Sequence, residues 1–170
     1  INGNVVTRLD YPVDNDSDKI ELINGHTKKL KKDELFECYK NNVVKTKINF
    51  DSYNVFTQND LFNGLSDNKK ITAYGFLEIP KFKECKGIKK YPVMFLIHHS
   101  GGSIMTEYKY YLQRNCIATF EPKIFFSRGS HRNKFDPDAD IQWTTITQGA
   151  VDSLMAIDVI AKNKQIDSSK

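Results

Sequence analysis

The chain has 170 residues and a mass of 19.6 kDa, which is enough for one domain with a sizeable core. Hydrophobic residues make up 39% and charged residues 27%, with only 9 glycines and 5 prolines, which excludes collagen-like, low-complexity and fully disordered chains. The net charge of +4 is too small for a nucleic-acid-binding footprint, so no nucleic-acid partner is expected. The longest apolar run, residues 93–97, is far shorter than the roughly 20 residues of a membrane span, so none is expected.

Residues 1–47 are polar and irregular and are predicted to form an N-terminal extension. Within it, Leu35, Phe36 and Tyr39 lie at helical spacing, which predicts a short helix over residues 32–39. The lysines among residues 28–32 are interpreted as a solvated face, in preference to a contact with phosphate or with a membrane.

Two segments with partly alternating β-branched and aromatic residues come next, at residues 52–57 and 70–79. Turn residues at 63–68 separate them, which predicts an antiparallel pair of strands. The charged residues 81–90 are then expected to form an exposed connection.

The second half of the chain has the order strand, turn, helix, strand, loop, helix, which is typical of an α/β domain. The apolar run at residues 93–97 shows no polar alternation and predicts a central parallel strand that is buried on both faces. A helix that Ser103 caps and that ends near Asn115 connects it to a second strand at residues 116–120.

The last predicted helix spans residues 142–162. Gly149 inside it costs about 1 kcal/mol relative to alanine, which predicts a close approach of another element at that point. An α/β sheet with only two parallel strands is unfinished, so the chain is expected to be a fragment. Apolar side chains at steps of three and four predict one buried helix face: Trp143, Ile146, Ala150, Leu154, Ile157 and Ala161.

Three cysteines occur, at Cys38, Cys85 and Cys116. Their number is odd and no C-x-x-C pair exists, so the spacing predicts neither a zinc site nor a disulfide framework. We therefore expect free thiols that pack as small hydrophobic side chains.

The candidate chemistry lies in one turn, between the apolar strand and the next helix. Free backbone N–H groups beside two glycines suit an oxyanion or a phosphate. Three interpretations stay open: an oxyanion-hole turn, a plain tight turn, or a degenerate G-x-S-x-G nucleophile elbow in which Ser100 attacks and His131 is the base. The elbow is disfavoured because a histidine stands where the pattern has glycine. The turn consists of His98, His99, Ser100, Gly101 and Gly102.

Four segments together resemble α/β-hydrolases of the dienelactone hydrolase family, and the resemblance covers residues 48–170. Residues 92–102 (PVMFLIHHSGG) look like the family's P-x-hydrophobic-H-G-S-G-G segment. Residues 115–120 (NCIATF) are similar to its G-x-A-T-F strand, and residues 125–129 (FFSRG) to its S-F-x-x-R-G loop. The stretch from Gln148 to Asp167 resembles a family helix that ends in P-x-I-D.

The resemblance implies the N-terminal part of a three-layer α/β-hydrolase sheet, in which an antiparallel first pair is followed by parallel strands. It implies that the full-length protein cleaves a carboxylic ester, lactone or related acyl bond with a nucleophile-His-acid triad, and with no metal or organic cofactor. The triad would follow Lys170, so this chain alone is expected to be inactive. Backbone N–H groups of Ser100 and Gly101 would serve the oxyanion hole, and the supporting residues would be His98, His99, Gly102 and Arg128.

Two departures from the family pattern, His99 for glycine and Lys123 for aspartate, keep open the alternative of a non-catalytic binding or structural domain with the same fold. Arg128 is interpreted as tying down its own loop, in preference to orienting a substrate carboxylate. His26 and His131 have no partner at metal spacing and are expected at the surface. No pattern in the sequence assigns a compartment or an oligomeric state.

Overall fold

The computed structural model of the protein describes residues 32–55, 57–65, 69–98, 103–128 and 139–169. Within those ranges the helices and strands are α1 (Lys32–Asn41), β1 (Val43–Tyr53), α2 (Gln58–Phe62), β2 (Lys70–Pro80), β3 (Val93–Phe95), α3 (Thr106–Arg114), β4 (Ala118–Pro122), α4 (Ile124–Ser127) and α5 (Ala139–Ala161). The strands form a mixed sheet in the order β1-β2-β4-β3, which confirms the α/β character. Across the same residues, the helices fall short of the length and apolarity that a membrane crossing requires.

The predicted antiparallel pair is present, but its first strand lies earlier in the chain than expected. β1 and β2 pair over their full lengths, from Val43 opposite Pro80 to Tyr53 opposite Lys70. The sheet therefore begins before residue 48, in the segment predicted to be an extension. Residues after β1 form α2 instead of a strand, because the Thr57 hydroxyl accepts the Asp60 N–H (3.2 Å) and the Asp60 carboxylate accepts the Thr57 N–H (2.8 Å). The predicted helix over residues 32–39 is confirmed as α1.

The strand predicted to be central lies at the edge of the sheet, so that prediction is wrong. β3 pairs in parallel with β4 alone among the described strands, and Met94 and Ile97 are almost half exposed. The inner strands are β2 and β4, and β4 is buried at every residue although it contains Thr119 and Glu121. An apolar run indicates that a strand can be buried on both faces. The position of that strand in the sheet depends on which other strands pair with it.

Helices cover both faces of the sheet. α5 lies on the face that carries Ser52 of β1, and α3 lies on the opposite face, where Gln113 donates to the Thr119 hydroxyl (3.0 Å). On the α5 side, the Phe120 ring packs edge-on against Phe50 and Phe95, with centroids 6.0 and 5.3 Å apart. This aromatic contact joins β1, β3 and β4 in one core.

The apolar face predicted for the last helix is wrong in detail. In α5, Ile146 and Leu154 are 62% and 58% exposed, whereas Val151 and Ala156 are buried together with polar residues such as Asp152. α3 ends where predicted, with Asn115 as its C-cap. Its start differs, since Met105 precedes the helix and no side chain caps it, so Ser103 is not the cap. Its buried residues are Lys109, Tyr110 and Gln113.

The close approach predicted at Gly149 is confirmed. A Cβ atom at this position would lie 2.7 Å from Cγ2 of Ile97 and 2.8 Å from Cδ1 of Ile124. Contacts that short do not occur between real side chains, so the missing side chain lets α5 approach both the end of β3 and the start of α4.

Two of the three cysteines form a disulfide, which corrects the prediction of free thiols. Cys85 and Cys116 are bonded, with their Cα atoms 5.4 Å apart, and Cys38 is free. Cys85 follows β2 and Cys116 precedes β4, and these two strands are antiparallel neighbours. The pairing brings the end of one strand beside the start of the other, a proximity that the spacing of 31 residues does not reveal.

Replacing Cys85 and Cys116 together with alanine should lower the free energy of unfolding by about 3 to 4 kcal/mol, because the unfolded chain gains the entropy of an open loop. Urea denaturation at pH 7 measures the loss, and Cys38→Ala serves as the matched control with a much smaller effect. An equal loss in the control and the double variant would contradict this assignment.

Candidate functional site

The candidate turn at residues 98–102 lies between β3 and α3, at the carboxyl ends of the two parallel strands. The Leu96 N–H donates to the Phe120 carbonyl (2.8 Å), so the chain stays on the sheet until just before the turn. Ligands of open α/β sheets bind beyond the carboxyl ends of parallel strands. His99, Ser100, Gly101 and Gly102 lie outside the described residues, as do His26 and His131.

His98 begins the turn and is buried. Its ring packs on the Phe125 ring of α4, with the centroids 4.9 Å apart. Two segments that are far apart in the sequence, PVMFLIHHSGG and FFSRG, therefore meet in space. The direction in which the chain enters the turn is fixed by this packing.

Arg128, at the end of α4, uses all five of its N–H donors within the protein. Both terminal nitrogens donate to the Asp152 carboxylate, at 2.8 and 2.9 Å. The remaining donors reach the side-chain oxygen of Asn54 (3.1 Å) and the carbonyls of Tyr53 and Ile124 (both 3.0 Å). A guanidinium bonded in this way ties its loop to α5 and to the end of β1, and it offers no further N–H to a substrate carboxylate.

Asp152 is fully buried and connects three elements. One of its carboxylate oxygens accepts hydrogen bonds from both Arg128 and the Ser52 hydroxyl, which lies 2.6 Å away. Asp152 lies in the family-like stretch from Gln148 to Asp167, but no spacing in the sequence pairs it with Arg128. The sequence contains one signal for such a pair, namely a carboxylate between the apolar residues of a helix face. A charge that is buried there needs a partner.

A second polar cluster lies between α1, α3 and the sheet, and no pattern in the sequence predicts it. The Lys109 ammonium of α3 contacts the Glu121 carboxylate of β4 and lies 3.6 Å from Glu78 of β2. Tyr39 of α1 donates a hydrogen bond to the same Glu78 side chain. We call Tyr39, Glu78, Lys109 and Glu121 the buried ionic cluster.

Two more lysines border the buried ionic cluster from the side of the solvent. Lys123 contacts Glu121, and Lys45 lies 3.4 Å from Glu78 with its side chain 49% exposed. Charged residues in strands usually indicate a solvated face, which explains why the sequence pattern misleads here. The face is buried because α1 and α3 cover it.

The charges of the cluster shift two pKa values in opposite directions. Burial and the neighbouring Glu78 carboxylate raise the pKa of Tyr39 well above its usual range. Burial also raises the pKa of Glu121, but the attraction and hydrogen bonds of Lys109 and Lys123 outweigh it, so that this pKa lies below its usual value. At neutral pH the cluster therefore holds a neutral tyrosine and an ionised Glu121.

The buried ionic cluster is closed to a substrate, because its members are buried beneath α1 and α3. Its chemistry is structural: it fixes α3, and hence the helix end that follows the turn. Among the described ranges, no three His, Cys, Asp or Glu side chains come together in an arrangement that would hold a metal ion.

Comparison with families of known proteins, with curated proteins and with solved structures finds no match to this chain.

Replacing Lys109 with methionine should lower the free energy of unfolding at pH 7 by about 3 to 5 kcal/mol, because two buried carboxylates lose the cation between them. Glu121 has a folded-state pKa below the ordinary value of 4.5. Its stabilising charge is therefore fully present above that pH and is lost as the pH falls through the lower folded-state pKa. The effect of the variant should shrink over the same acidic range.

Urea denaturation at pH 7 and at a series of pH values below 4.5 measures both effects. The matched control is Lys45→Met, which removes a half-exposed partner of Glu78 and should cost at most about 1 kcal/mol. Equal losses for the two variants, or a loss for Lys109→Met that does not depend on pH, would contradict the assignment.

Proposed function

We propose that the chain is the N-terminal portion of an α/β-hydrolase, similar to the dienelactone hydrolases, that cleaves a carboxylic ester, a lactone or a related acyl bond. The turn at residues 98–102 would supply backbone N–H groups to the oxyanion hole. The catalytic nucleophile, histidine and acid would follow residue 170, so the 170-residue chain alone would not turn over substrate.

One observation carries the proposal: the position of the turn between the third strand of the chain and the helix that follows it. In α/β-hydrolases, one oxyanion donor is an N–H of the loop between the third strand and the next helix. The second donor is the N–H of the residue after the nucleophile. β3 and α3 flank the turn here in the same order, and β3 is parallel to the inner strand β4.

Two surfaces of the described structure support the proposal further. β3 has one partner strand among the described residues, and just before it Tyr91 forms a parallel bridge with Ile166, which suits a further strand that continues along this edge. On α5, the exposed side chains of Ile146, Leu154 and Ile157 suit contact with a further helix. Both surfaces fit the strand and helix that the proposal places after residue 170.

The proposed mechanism is acyl transfer. A serine or cysteine at the elbow, activated by histidine, would attack the carbonyl carbon and form an acyl-enzyme that water then hydrolyses. Negative charge develops on the carbonyl oxygen during the attack, and the N–H groups of Ser100 and Gly101 would stabilise it. His98 on Phe125 and Arg128 on Asp152 would hold the turn and its neighbouring loop in place.

Reading the gene beyond the codon for Lys170 gives the first test. The proposal expects a strand that leads into G-x-S-x-G or G-x-C-x-G within about 20 residues, followed by the acid and the histidine in that order. A coding region that continues without an elbow, an acid and a histidine would overturn the proposal and leave a non-catalytic domain of the same fold.

In the full-length protein, Ser100→Pro should lower kcat for hydrolysis of p-nitrophenyl acetate by about 100- to 1000-fold, because proline has no N–H to donate. Ser103→Pro, just outside the turn, is the control for a proline in this loop and should leave the rate unchanged. Ser100→Ala keeps the N–H and should lose much less than Ser100→Pro. Complete loss in Ser100→Ala, together with loss of labelling by an acyl probe, would instead identify Ser100 as the nucleophile.

A further inference from the structure

A cavity of about 400 Å³ lies at the opposite end of the sheet from the candidate turn. It is lined by residues at the start of β1 (Val44), at the end of β2 (Ile79 and Pro80) and just before β3 (Tyr91). β3 runs from this end towards the turn, so the length of the strand separates the two places. The volume lies within the range of about 300 to 1000 Å³ that is usual for small-molecule sites.

The walls of the cavity are apolar. Ile79, Phe82 and Tyr91 are buried residues of the hydrophobic core that also line the cavity. Ile88 is 41% exposed at its opening. Such a wall favours the hydrocarbon or aromatic part of a ligand, because binding removes apolar surface of both the wall and the ligand from water.

The rim of the cavity is positively charged. Lys81, Lys83 and Lys86 line it and are exposed, and none of them forms an ion pair with a described carboxylate. Glu84 is the sole acid within residues 81–90, and it is paired with Arg114 at 2.9 Å. The positive charge of the rim is therefore not neutralised within this segment, and it is complementary to an anion.

The segment that forms the rim is fixed to the rest of the protein. The Cys85–Cys116 disulfide ties its middle to the start of β4. The Lys81 N–H donates to the Asn42 carbonyl (2.7 Å), and the Tyr91 N–H to the Gln165 carbonyl (2.8 Å). A ligand would thus meet a preformed cavity and would not have to order this segment.

We propose that this cavity binds a small amphipathic organic anion, with the apolar part of the ligand against Ile79, Phe82 and Ile88 and its acid group towards Lys81, Lys83 and Lys86. The proposal does not depend on the hydrolase proposal, because none of these residues belongs to the candidate turn. The ligand class follows from charge complementarity at the rim and from apolar walls below it.

Titration of the chain with octanoate, followed by isothermal calorimetry, tests the proposal. Saturable binding of one octanoate per chain is expected, and the affinity should fall as sodium chloride is raised, because salt screens the lysines. Octyltrimethylammonium, which has the same tail and the opposite charge, should not bind. Inorganic phosphate alone should bind much more weakly than octanoate, because it has no apolar part.

Two pairs of variants separate this site from general surface effects. Lys83→Gln/Lys86→Gln should weaken octanoate binding about three- to tenfold, whereas Lys89→Gln/Lys90→Gln, which removes the same charge beside the cavity, should change it less than about twofold. Ile88→Ser should also weaken binding by at least about threefold. The control Ile157→Ser, a residue 45% exposed on α5, should not.

Absence of saturable binding to the unmodified chain would overturn the proposal. So would equal weakening by the two lysine pairs, or binding of octyltrimethylammonium as tight as that of octanoate. The comparisons of salt concentration and of ligand head-group charge use the unmodified chain, so they decide the question even if a variant fails to fold. Loss of esterase activity in the full-length protein would bear on the hydrolase proposal alone.

Discussion

The buried carboxylate of Asp152 is the constraint on which the arrangement around the candidate turn depends. A fully buried charge is tolerated when it is paired and hydrogen-bonded, and Asp152 obtains both from Arg128 and Ser52. These bonds fix which side of α5 faces the sheet, so that Gly149 meets Ile97 at the end of β3. The same bonds hold α4 in place against His98. The polar contacts thus decide how the apolar surfaces meet.

The opposite face of the sheet is held by a different kind of interaction. There the buried ionic cluster connects α1 and α3 to β2 and β4, and its lysine lies between two carboxylates. Such a cluster favours one specific position of α3, because a displaced ammonium would leave the two buried carboxylates with only the peripheral lysines Lys45 and Lys123. The turn at residues 98–102 is therefore bounded by two elements with fixed positions, β3 before it and α3 after it.

This architecture separates two places with different chemistry. At the carboxyl ends of the parallel strands, the glycine-containing segment is the one that we propose would stabilise a developing oxyanion. At the other end, a rigid basic segment borders an apolar cavity. The first place would serve the proposed hydrolase only together with groups from elsewhere in the protein, whereas the second is built from residues of this chain. A ligand at one end would leave the other end accessible, because the sheet lies between them.

The sequence by itself determined several local features: helix α1, an antiparallel first pair with its first strand misplaced, the end of α3 at Asn115, and the close approach at Gly149. These depend on periodicity, turn residues and side-chain size over a few neighbours. The tertiary structure alone decided that β3 lies at the edge and that β2 and β4 are the inner strands, which face of α5 is buried, and that Cys85 joins Cys116. It also decided the partners in Arg128–Asp152 and Lys109–Glu78. Each of these contacts joins residues that are distant in the chain, and strand order brings them together, which no local pattern encodes.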